Sequence, residues 1–449
     1  MNAQQREARR ARLRVPSVVG AMVTLSAASF VIFPLIPSLQ DDLGVTTAQI
    51  GYLAAAGFGA ALIAELLVAP AADRGHARLM AIVGVLLVAG SLALSALATS
   101  GLQLIAGRAV GGFGFGIFVI AASALLVRHD HKRSGELLGR LGAGELAGIA
   151  LGPLASGLAL AVAGPSVILA VSAGVVMLAL VPVLLGFREA AGHAREARGS
   201  APGAASSRTG APFDGDHAHP ETGGIAAGVL GFDVTDADRT QRFGSAAPRT
   251  GLDLLRSPRI IGIVLLYAAV MIPTGAYDGI WPRYMADIGA GPVLIAASYA
   301  IFAVPYVLLA GWAGRLADRR GGVSAFWRGL LVLLPIVALY AVVGNPFVAT
   351  GMGLIESTGQ ALAFVGAAAA MAHAVDPARA GTAQGLLRGI GLAAATVAAA
   401  VSGLAYQAGG QALLFGGTAV VVAVVAAVGL ALARGRGGLR NGRPAVSRR

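Results

Sequence analysis

The chain has 449 residues, of which 56% are hydrophobic and only 12% are charged. A soluble domain is about 25% charged, so this composition excludes an ordinary soluble protein and indicates that lipid is the main solvent. The net charge of +12 comes from arginines in short runs between apolar segments and at both ends, which is a membrane topology signal and not a nucleic-acid footprint. Cysteine is absent, so disulfides and cysteine-ligated metals are excluded.

Twelve apolar segments are long enough to cross a bilayer, since a spanning helix needs roughly 20 apolar residues. The first six predicted spans are 15–36, 50–70, 79–98, 102–126, 137–161 and 165–186. The other six are 259–283, 292–314, 323–343, 346–374, 379–407 and 411–434. We expect the run from Val15 to be a retained span, because prolines follow it in place of a small-residue cleavage site. The pattern predicts an all-α membrane protein of 12 helices in two six-helix bundles.

Basic residues are confined to alternate loops. Both chain ends and every second loop contain Arg or Lys. The intervening loops contain neither, and these are 37–49, 99–101, 162–164, 284–291, 344–345 and 408–410. Because loops rich in Lys and Arg stay on the cytoplasmic side, the alternation predicts a multi-pass protein with both termini in the cytoplasm. The Arg-, Ala- and Gly-rich composition is typical of a GC-rich bacterial genome, so we expect a bacterial inner membrane.

A polar segment separates the two groups of spans. Residues 187–258 are rich in Gly, Ala, Ser, Arg and Asp and have no sustained apolar period, which predicts a flexible linker. The predicted domains are a cytoplasmic basic N-terminus (1–14), an N-terminal six-helix bundle (15–186), a flexible cytoplasmic linker (187–258), a C-terminal six-helix bundle (259–434) and a cytoplasmic basic tail (435–449).

A short loop element recurs after the second span of each half. The two copies read Ala69-Pro-Ala-Ala-Asp73-Arg74-Gly75 and Gly314-Arg-Leu-Ala-Asp318-Arg319-Arg-Gly321. The chain resembles the major facilitator superfamily, whose loop pattern is Gly-x-x-x-Asp-Arg-x-Gly, with Ala69 in place of the first glycine. The resemblance implies a cytoplasmic latch made by Asp73, Arg74, Asp318 and Arg319, in which a carboxylate is favoured near a helix N-terminus. Alternatively, these residues simply end a helix in water.

Two further elements carry the resemblance. Arg108 begins Arg-Ala-Val-Gly-Gly-Phe-Gly in the fourth span, similar to the family's Arg-x-x-x-Gly-x-Gly. The fifth span is similar to the antiporter motif Gly-x-x-x-Gly-Pro-x-x-Gly-Gly through Gly148, Gly152, Pro153 and Gly157. Glycines four residues apart permit close helix packing, and a proline introduces a bend. The resemblance implies the twelve-helix drug:proton antiporter branch. A packing seam without directional meaning is the alternative.

Ionisable side chains within spans are expensive and are functional candidates by default. Glu356 lies near the middle of the tenth span, and Gln360 follows one turn later on the same stripe. The family resemblance implies that the first, fourth, seventh and tenth spans line a central cavity. Burial disfavours the charged form of a carboxyl group, so Glu356 is our first candidate for binding the proton or a cationic substrate. A structural ion pair with an arginine is the alternative.

Arg108 and two acidic residues are further cavity candidates. Arg108 is always charged and needs a partner, and Glu145 in the fifth span is within reach of the same half-bundle. That pair is either functional or a static packing contact. Asp278, near the outer end of the seventh span, either forms a surface pair with Arg283 or acts at the outer mouth as a proton acceptor or cation attractor.

Glu65 and Arg388 occupy the second and eleventh spans, roughly two turns from the cytoplasmic face at a rise of ~1.5 Å per residue. The resemblance makes these two spans neighbours across the halves. We therefore predict an inter-bundle ion pair that closes the inner gate and breaks when the halves rock.

These features favour a secondary transporter that exports small amphipathic molecules by proton antiport. Proton-coupled uptake of a nutrient and a non-transporting sensor are the alternatives. Asparagine occurs only at positions 2, 345 and 441, which argues against sugar recognition, and the loop elements in both halves argue against a sensor. No Gly-x-x-x-x-Gly-Lys-Ser/Thr loop is present, which excludes direct ATP coupling. We expect no enzyme activity, cofactor, metal or nucleic-acid partner, and a monomer driven by the proton gradient.

Overall fold

The computed structural model describes residues 3–73, 76–129, 134–186, 251–376 and 379–434. Helices make up most of these residues, and the described part contains no β-strand. The helices of the first half are α1 (Ala3–Phe30), α2 (Thr47–Asp73), α3 (Ala77–Ala96), α4 (Gly101–His129), α5 (Ser134–Ala159) and α6 (Pro165–Leu178, continued by Leu180–Gly186). Those of the second half are α7 (Pro258–Asp287), α8 (Pro292–Arg320), α9 (Gly322–Leu339), α10 (Pro346–Ala372), α11 (380–408) and α12 (411–434).

The described helices account for twelve membrane spans. Ten helical segments are each long and apolar enough to cross a bilayer, and α8 adds another, with a bend of 43° between its arms. The segment Ala380–Arg434 counts as one of the ten but has non-helical backbone at Gly409 and Gly410. A straight helix of its 55 residues would be ~80 Å long, far beyond the hydrocarbon thickness of a bilayer, so it forms two spans, α11 and α12. The prediction of an all-α membrane protein of 12 helices is confirmed.

The first span begins at Val15, as predicted, but continues past its predicted end to Leu43. α1 begins at Ala3, so the backbone of the predicted basic N-terminus is already helical. At its far end, a 3-10 turn (Phe33–Leu35) and a short helix (Ile36–Leu43) prolong the span. Two prolines there lack the N–H group that a continuous helix needs. The chain then turns at Gly44, whose φ of 63° lies in the region that glycine tolerates best.

Proline also marks where several spans begin. It occupies the first turn of α6, α7, α8 and α10, where its missing N–H has no helical partner to lose. At α10 the preceding Asn345 completes the start, because its Oδ1 accepts hydrogen bonds from the N–H groups of Phe347 (2.9 Å) and Val348 (3.1 Å). Such a cap satisfies donors that a helix end otherwise leaves unpaired.

The two halves repeat the same helix contacts. In the first half, α1 packs on α5, and α4 packs on both α2 and α3. In the second half, α7 packs on α11, and α10 packs on both α8 and α9. The halves meet where α2 packs on α11 and where α5 packs on α8, which is again an equivalent pair of contacts. This repetition is the pseudo-symmetric arrangement of two six-helix bundles.

The bundle has two ends, which we name for reference. The terminal face holds the start of α1 and the end of α12. The distal face holds the turns 44–46, 97–100, 160–164, 288–291, 340–345 and 409–410. Large apolar side chains on the outer wall, such as Leu66, Leu67 and Leu308, are about 70% exposed. Because lipid is the solvent there, this apolar surface needs no protein partner.

The second half begins before α7. Of the predicted linker, 187–250 lies outside the described residues, as does the predicted tail. Residues 251–258 are structured: the 3-10 turn Leu252–Arg256 buries Leu254, and Asp253 pairs with Arg379 at 2.7 Å. These contacts fix the start of α7 against the chain that follows α10. The linker's flexibility stays a prediction.

Candidate functional site

A cavity of about 340 Å³ lies between the two halves, which is the size of a typical small-molecule site. Its walls come from α1, α2, α4 and α5, from their equivalents α7, α8, α10 and α11, and from Tyr340 at the end of α9. All six charged residues proposed from the sequence within the spans line this one cavity: Glu65, Arg108, Glu145, Asp278, Glu356 and Arg388. The cavity is therefore lined by the four helices expected from the sequence and by four further helices.

The side chains that line the cavity are less exposed toward the distal face. Asp278, Trp281 and Tyr340, on its distal side, are all buried. The side chains of Glu65 and Arg388, nearer the terminal face, are 16% and 18% exposed. This gradient of exposure indicates that the cavity opens toward the terminal face.

Close backbone contacts hold the halves together at the distal face. A Cβ atom added to Gly51 of α2 would meet the carbonyl oxygen of Ala399 in α11 at 2.6 Å. A Cβ atom on Gly157 of α5 would overlap the Cβ atom of Ala296 in α8. Only glycine allows helices to approach this closely. The distal side of the cavity is closed by helix packing.

Glu356 lies deep in the cavity wall on α10 and is 1% exposed. Its carboxylate lies beside the hydroxyl groups of Tyr277 and Tyr340. Neither hydroxyl group nor the Oε1 atom of Glu356 makes a hydrogen bond of good geometry within the described part of the chain. No described arginine forms an ion pair with Glu356, so the alternative of a structural ion pair is not what the structure contains.

Gln360 follows Glu356 by one helical turn and is 3% exposed. Its Nε2 donates a hydrogen bond of 2.8 Å to Oγ1 of Thr274 on α7. This bond orients the amide, and its Oε1 atom remains without a described partner. The stripe predicted on the tenth span therefore does face the cavity.

Arg108 pairs across the two halves. Its Nη2 lies 3.9 Å from Oδ2 of Asp278 on α7, and its Nη1 donates a hydrogen bond of 2.6 Å to the carbonyl oxygen of Ser29. Its guanidinium carbon also lies 5.0 Å from the ring centroid of Phe33, within the range of a cation–π contact. Arg108 is thus held by α1 as well as by its acidic partner.

Two pairings considered from the sequence are not formed. Arg108 contacts Asp278 and not Glu145, and Arg283 pairs with Asp287 at 2.7 Å and not with Asp278. The reason is geometric, since Arg283 lies one turn from Asp287 on the same helix. Asp278 turns into the cavity instead of sitting at an outer mouth.

Glu65 and Arg388 form an ion pair between α2 and α11, with Nε of Arg388 2.9 Å from Oε1 of Glu65. Glu145 of α5 is near enough to interact electrostatically with both. Its Oε2 atom is buried and has no described hydrogen-bond partner. The guanidinium group of Arg388 is therefore the counter-charge for two carboxyl groups, those of Glu65 and Glu145. Whether the pair acts as a gate stays a prediction.

The latch residues are only partly described. Arg74 lies outside the described residues, and so does the side chain of Asp73. Asp318 and Arg319 are exposed at the end of α8, and neither makes a hydrogen bond or ion pair to the described part of the chain. In the second half, the predicted contact to a helix N-terminus is absent from this described part.

The helix-5 motif has two structural functions. Gly148 and Gly152 pack against α1, where an added Cβ atom would run into the backbone at Ala27. Gly157 faces α8 of the other half. Pro153 lies inside α5, which continues to Ala159. The motif is therefore a packing seam in this structure, and its last glycine joins the halves.

Sequence reasoning missed the aromatic residues around Glu356. The rings of Tyr277 and Trp281 lie 6.1 and 5.2 Å from that of Tyr340. Their spacing of four residues on α7 places Tyr277 and Trp281 on one face, which was a usable signal. Nothing near Tyr340 in the sequence indicates its position, because that depends on how α7 and α9 pack.

Comparisons with known proteins identify the fold. The sequence model of the Major Facilitator Superfamily matches residues 18–346, whereas a search of curated proteins finds no significant match. A bacterial homologue of the human lysosomal transporter Spinster, inward-facing and unoccupied, has a TM-score of 0.70 at 14% identity over 95% of this chain and 97% of that chain. An inward-facing, occupied structure with the same description has a TM-score of 0.65 at 14% identity over 93% and 95%.

The human organic anion transporter MFSD10 (TETRAN) is also similar, with a TM-score of 0.59 at 16% identity over 93% of this chain and 99% of that chain. At such identities these likenesses show the fold alone. The match to the family's sequence model covers most of the chain, and it is this match that assigns the protein to a group of transporters and not of enzymes. The chain belongs to the Major Facilitator Superfamily.

Proposed function

We propose that this transporter exports small amphipathic molecules, such as a drug, a toxic metabolite or a natural product, by proton antiport with alternating access. The observation that carries the proposal is Glu356, a carboxyl group with 1% exposure and an unpartnered Oε1 atom in the wall of the central cavity. A proton and a cationic substrate each neutralise such a group. Because one site serves both, the two ligands exclude each other, as exchange requires.

The charge balance of the cavity favours a cationic substrate. Four carboxyl groups and two guanidinium groups line it. Arg108 is engaged by Asp278, and Arg388 by Glu65. The remaining acids leave the cavity with a negative surplus when ionised. A similar fold is found in a transporter described as one for organic anions, but an anion would meet repulsion from these carboxylates.

The remaining wall is apolar and aromatic, which supports an amphipathic substrate. Ring-bearing residues from six helices contribute to it: Phe30, Phe58, Phe115, Tyr267, Phe302, Tyr306 and Phe364. Flat apolar groups gain contact area against such rings. A substrate with a cationic end and an aromatic or aliphatic body therefore matches both parts of the wall.

The contacts between the halves support alternating access. The cavity is closed at the distal face by glycine packing and opens toward the terminal face, while Glu65–Arg388 and Arg108–Asp278 link α2 to α11 and α4 to α7. Both ion pairs join different halves, so a rocking motion changes their geometry. Pairs of this kind favour discrete arrangements of two rigid bodies.

Export also requires that the terminal face be cytoplasmic. The alternation of Arg and Lys supports this orientation in a bacterial inner membrane, and then the cavity loads from the cytoplasm. The absence of natural cysteine permits a clean test. Asp42→Cys at the distal face and Arg320→Cys at the terminal face are both at exposed positions. In intact cells a membrane-impermeant maleimide should label only Asp42→Cys, and labelling of only Arg320→Cys would reverse the orientation.

The test of antiport uses everted membrane vesicles with an acid interior. A panel of lipophilic cations is added, and the loss of the proton gradient is recorded for wild type, Glu356→Gln and the control Asp42→Asn. We expect cations to dissipate the gradient with wild type and with Asp42→Asn, whose carboxyl group is exposed at the distal face. Glu356→Gln should abolish the response because an amide cannot carry the proton.

The other outcomes are equally informative. Dissipation by both wild type and Glu356→Gln would retain export and move the proton site to Glu145, Asp278 or Glu65. Absence of any response in wild type, with the protein present in the membrane, would favour uptake over export.

A further inference from the structure

We infer that Glu356 and Gln360 form a binding site for a protonated amine that carries N–H groups, in preference to a quaternary ammonium ion. We call this pair the amine site. The inference rests on the proposed function, because it assumes a cationic substrate, and it specifies which cation the cavity recognises. Both residues lie on α10, four positions apart, so their side chains share one face toward the cavity.

The amine site offers acceptors that lack donors. Oε1 of Glu356 and Oε1 of Gln360 are buried, and neither has a hydrogen-bond partner within the described residues. A buried acceptor without a donor is costly, and a ligand that donates a hydrogen bond removes this cost. A carboxylate has about four acceptor positions. Even with the hydroxyl groups of Tyr277 and Tyr340 turned toward it, Glu356 therefore retains places for N–H donors.

The orientation of the Gln360 amide explains why the site should prefer a cation that carries N–H groups. Its Nε2 already donates to Thr274 Oγ1 at 2.8 Å, so the amide presents its oxygen to a ligand and not its N–H groups. An amine could donate N–H hydrogen bonds to both acceptors, whereas a quaternary cation would balance the charge of Glu356 and donate a hydrogen bond to neither oxygen. A site built to accept hydrogen bonds discriminates strongly against an analogue that lacks the donor.

A neighbouring aromatic ring adds a surface for the rest of the molecule. Phe364, one turn beyond Gln360, lines the cavity, and its ring centroid lies 5.0 Å from that of Tyr267. The faces of aromatic rings attract any cation, so they contribute affinity without distinguishing protonated amines from quaternary ammonium ions. Discrimination therefore comes from the acceptors alone.

The test compares two probes on the purified full-length protein by isothermal titration calorimetry at neutral pH. The probes are naphthylethylamine, which is protonated there, and its N,N,N-trimethyl derivative, which has the same charge and ring and no N–H. Wild type should bind the amine about tenfold more tightly or better. In Gln360→Leu the difference should shrink, chiefly through weaker binding of the amine.

Gln384→Leu is the matched control. Gln384 is also a buried glutamine with an unpartnered Oε1 atom, but it lies on α11 outside the cavity lining, with its Nε2 donating to the carbonyl oxygen of Ala368. This variant should keep the wild-type ratio of affinities. If Gln360→Leu does not fold, Thr274→Val replaces it, since loss of the hydroxyl frees the amide to rotate and should reduce the ratio.

Equal affinity of wild type for the two probes, or no binding of either, would overturn the inference. So would an unchanged ratio in Gln360→Leu or in its replacement. Failure of the proposed function is distinguishable from these results. A clear preference for the amine without any cation-driven proton flux in vesicles would reject antiport and leave the amine site standing. Proton flux with equal affinities would reject only the amine site.

Discussion

The two halves of the molecule place charges of opposite sign on equivalent cavity helices. α4 of the first half carries Arg108, whereas its equivalent α10 carries Glu356. α5 carries Glu145, whereas its equivalent α11 carries Arg388. On these two pairs of equivalent helices the backbone is repeated and the sign of the charge is inverted, although each half contributes two acids and one arginine to the cavity. Each half therefore supplies groups that compensate the charges of the other, which two identical halves cannot do.

The environments of the two central charges also differ. Arg108 is fixed by the carbonyl oxygen of Ser29, the ring of Phe33 and the carboxylate of Asp278. Glu356 has tyrosine hydroxyl groups beside it but no ion pair among the described residues. A fixed cation stabilises one arrangement of the halves, whereas an unpaired acid is available for a ligand. We infer that the first half mainly anchors and the second half mainly binds.

The largest effect should come from removing the fixed cation. Arg108→Leu leaves the buried Asp278 without a counter-charge, and we expect the free energy of unfolding to fall by about 3–5 kcal/mol. The double variant Arg108→Leu/Asp278→Leu removes both charges and should recover most of this loss. Unfolding by SDS in mixed micelles measures both values.

Arg320→Leu is the control for arginine loss, because Arg320 is exposed at the terminal face and should change stability by less than about 0.5 kcal/mol. A double variant as unstable as Arg108→Leu would show that the arginine acts through Ser29 or Phe33 and not through Asp278.

The next effect concerns the pair that links α2 and α11. Arg388→Glu would place three carboxyl groups together, with Glu65 and Glu145, whereas Glu65→Arg leaves two guanidinium groups with one acid. We expect both reversals to reduce transport, by about tenfold or more for Arg388→Glu, and by less for Glu65→Arg. The exchange Glu65→Arg/Arg388→Glu should restore part of the rate. Transport is measured as cation-driven proton flux in vesicles.

A transport rate unchanged by either single reversal would exclude a gating role for this pair. Equal defects in both would show instead that Glu145 does not share Arg388. Either result would weaken the comparison of the two halves, because Glu145 and Arg388 are the second pair of opposite charges on equivalent helices.

The sequence was sufficient for the fold because hydrophobicity and charge are both strong, local signals. Apolar length indicated every span, and the short Gly409–Gly410 turn was found between two of them. The far limit of the first span was wrong, since prolines near its end permit a 3-10 turn and a further helix. At this place the prolines coincide with a break in the helix, but the break does not end the membrane crossing.

The site was less accessible from the sequence. Position along a helix indicated which charged residues lie inside the membrane, and all six of these residues line one cavity. Their partners depend on helix rotation and on contacts between distant spans, as for Arg108 and Asp278, which are 170 positions apart in the chain. Spacing within one helix cannot predict such a pair. The same limit hid Tyr340 beside Glu356.

A smaller effect should follow from separating the halves at the distal face. Gly157→Leu forces a side chain against Ala296 of α8, and overpacking of this kind costs about 1–3 kcal/mol. Gly164→Leu is the matched control, because an added Cβ atom there meets nothing within 4 Å. We expect Gly157→Leu alone to increase maleimide labelling of a cysteine at Ser298, which is buried on α8. Equal labelling in both variants would show that this contact does not close the cavity.

The smallest effect distinguishes two tyrosines of the binding half. Tyr340 and Tyr284 are both fully buried, with rings 6.3 Å apart, but only Tyr340 lines the cavity beside Glu356. Tyr284 donates its hydroxyl group to the carbonyl oxygen of Val343 at 3.0 Å. Tyr284→Phe should therefore lower the free energy of unfolding by about 1 kcal/mol and leave transport unchanged.

Tyr340→Phe should do the reverse. Its hydroxyl group makes no hydrogen bond of good geometry to the described residues, so its loss should change stability little. Beside Glu356, however, it is placed to donate when the carboxylate is charged, and one such bond corresponds to about a twofold to tenfold change in transport. Proton flux and SDS unfolding, measured on both variants, separate the two roles. If Tyr340→Phe altered only stability, the ring of Tyr340 would belong to the packing of α7 against α9, and Glu356 would bind its ligand without help from this hydroxyl group.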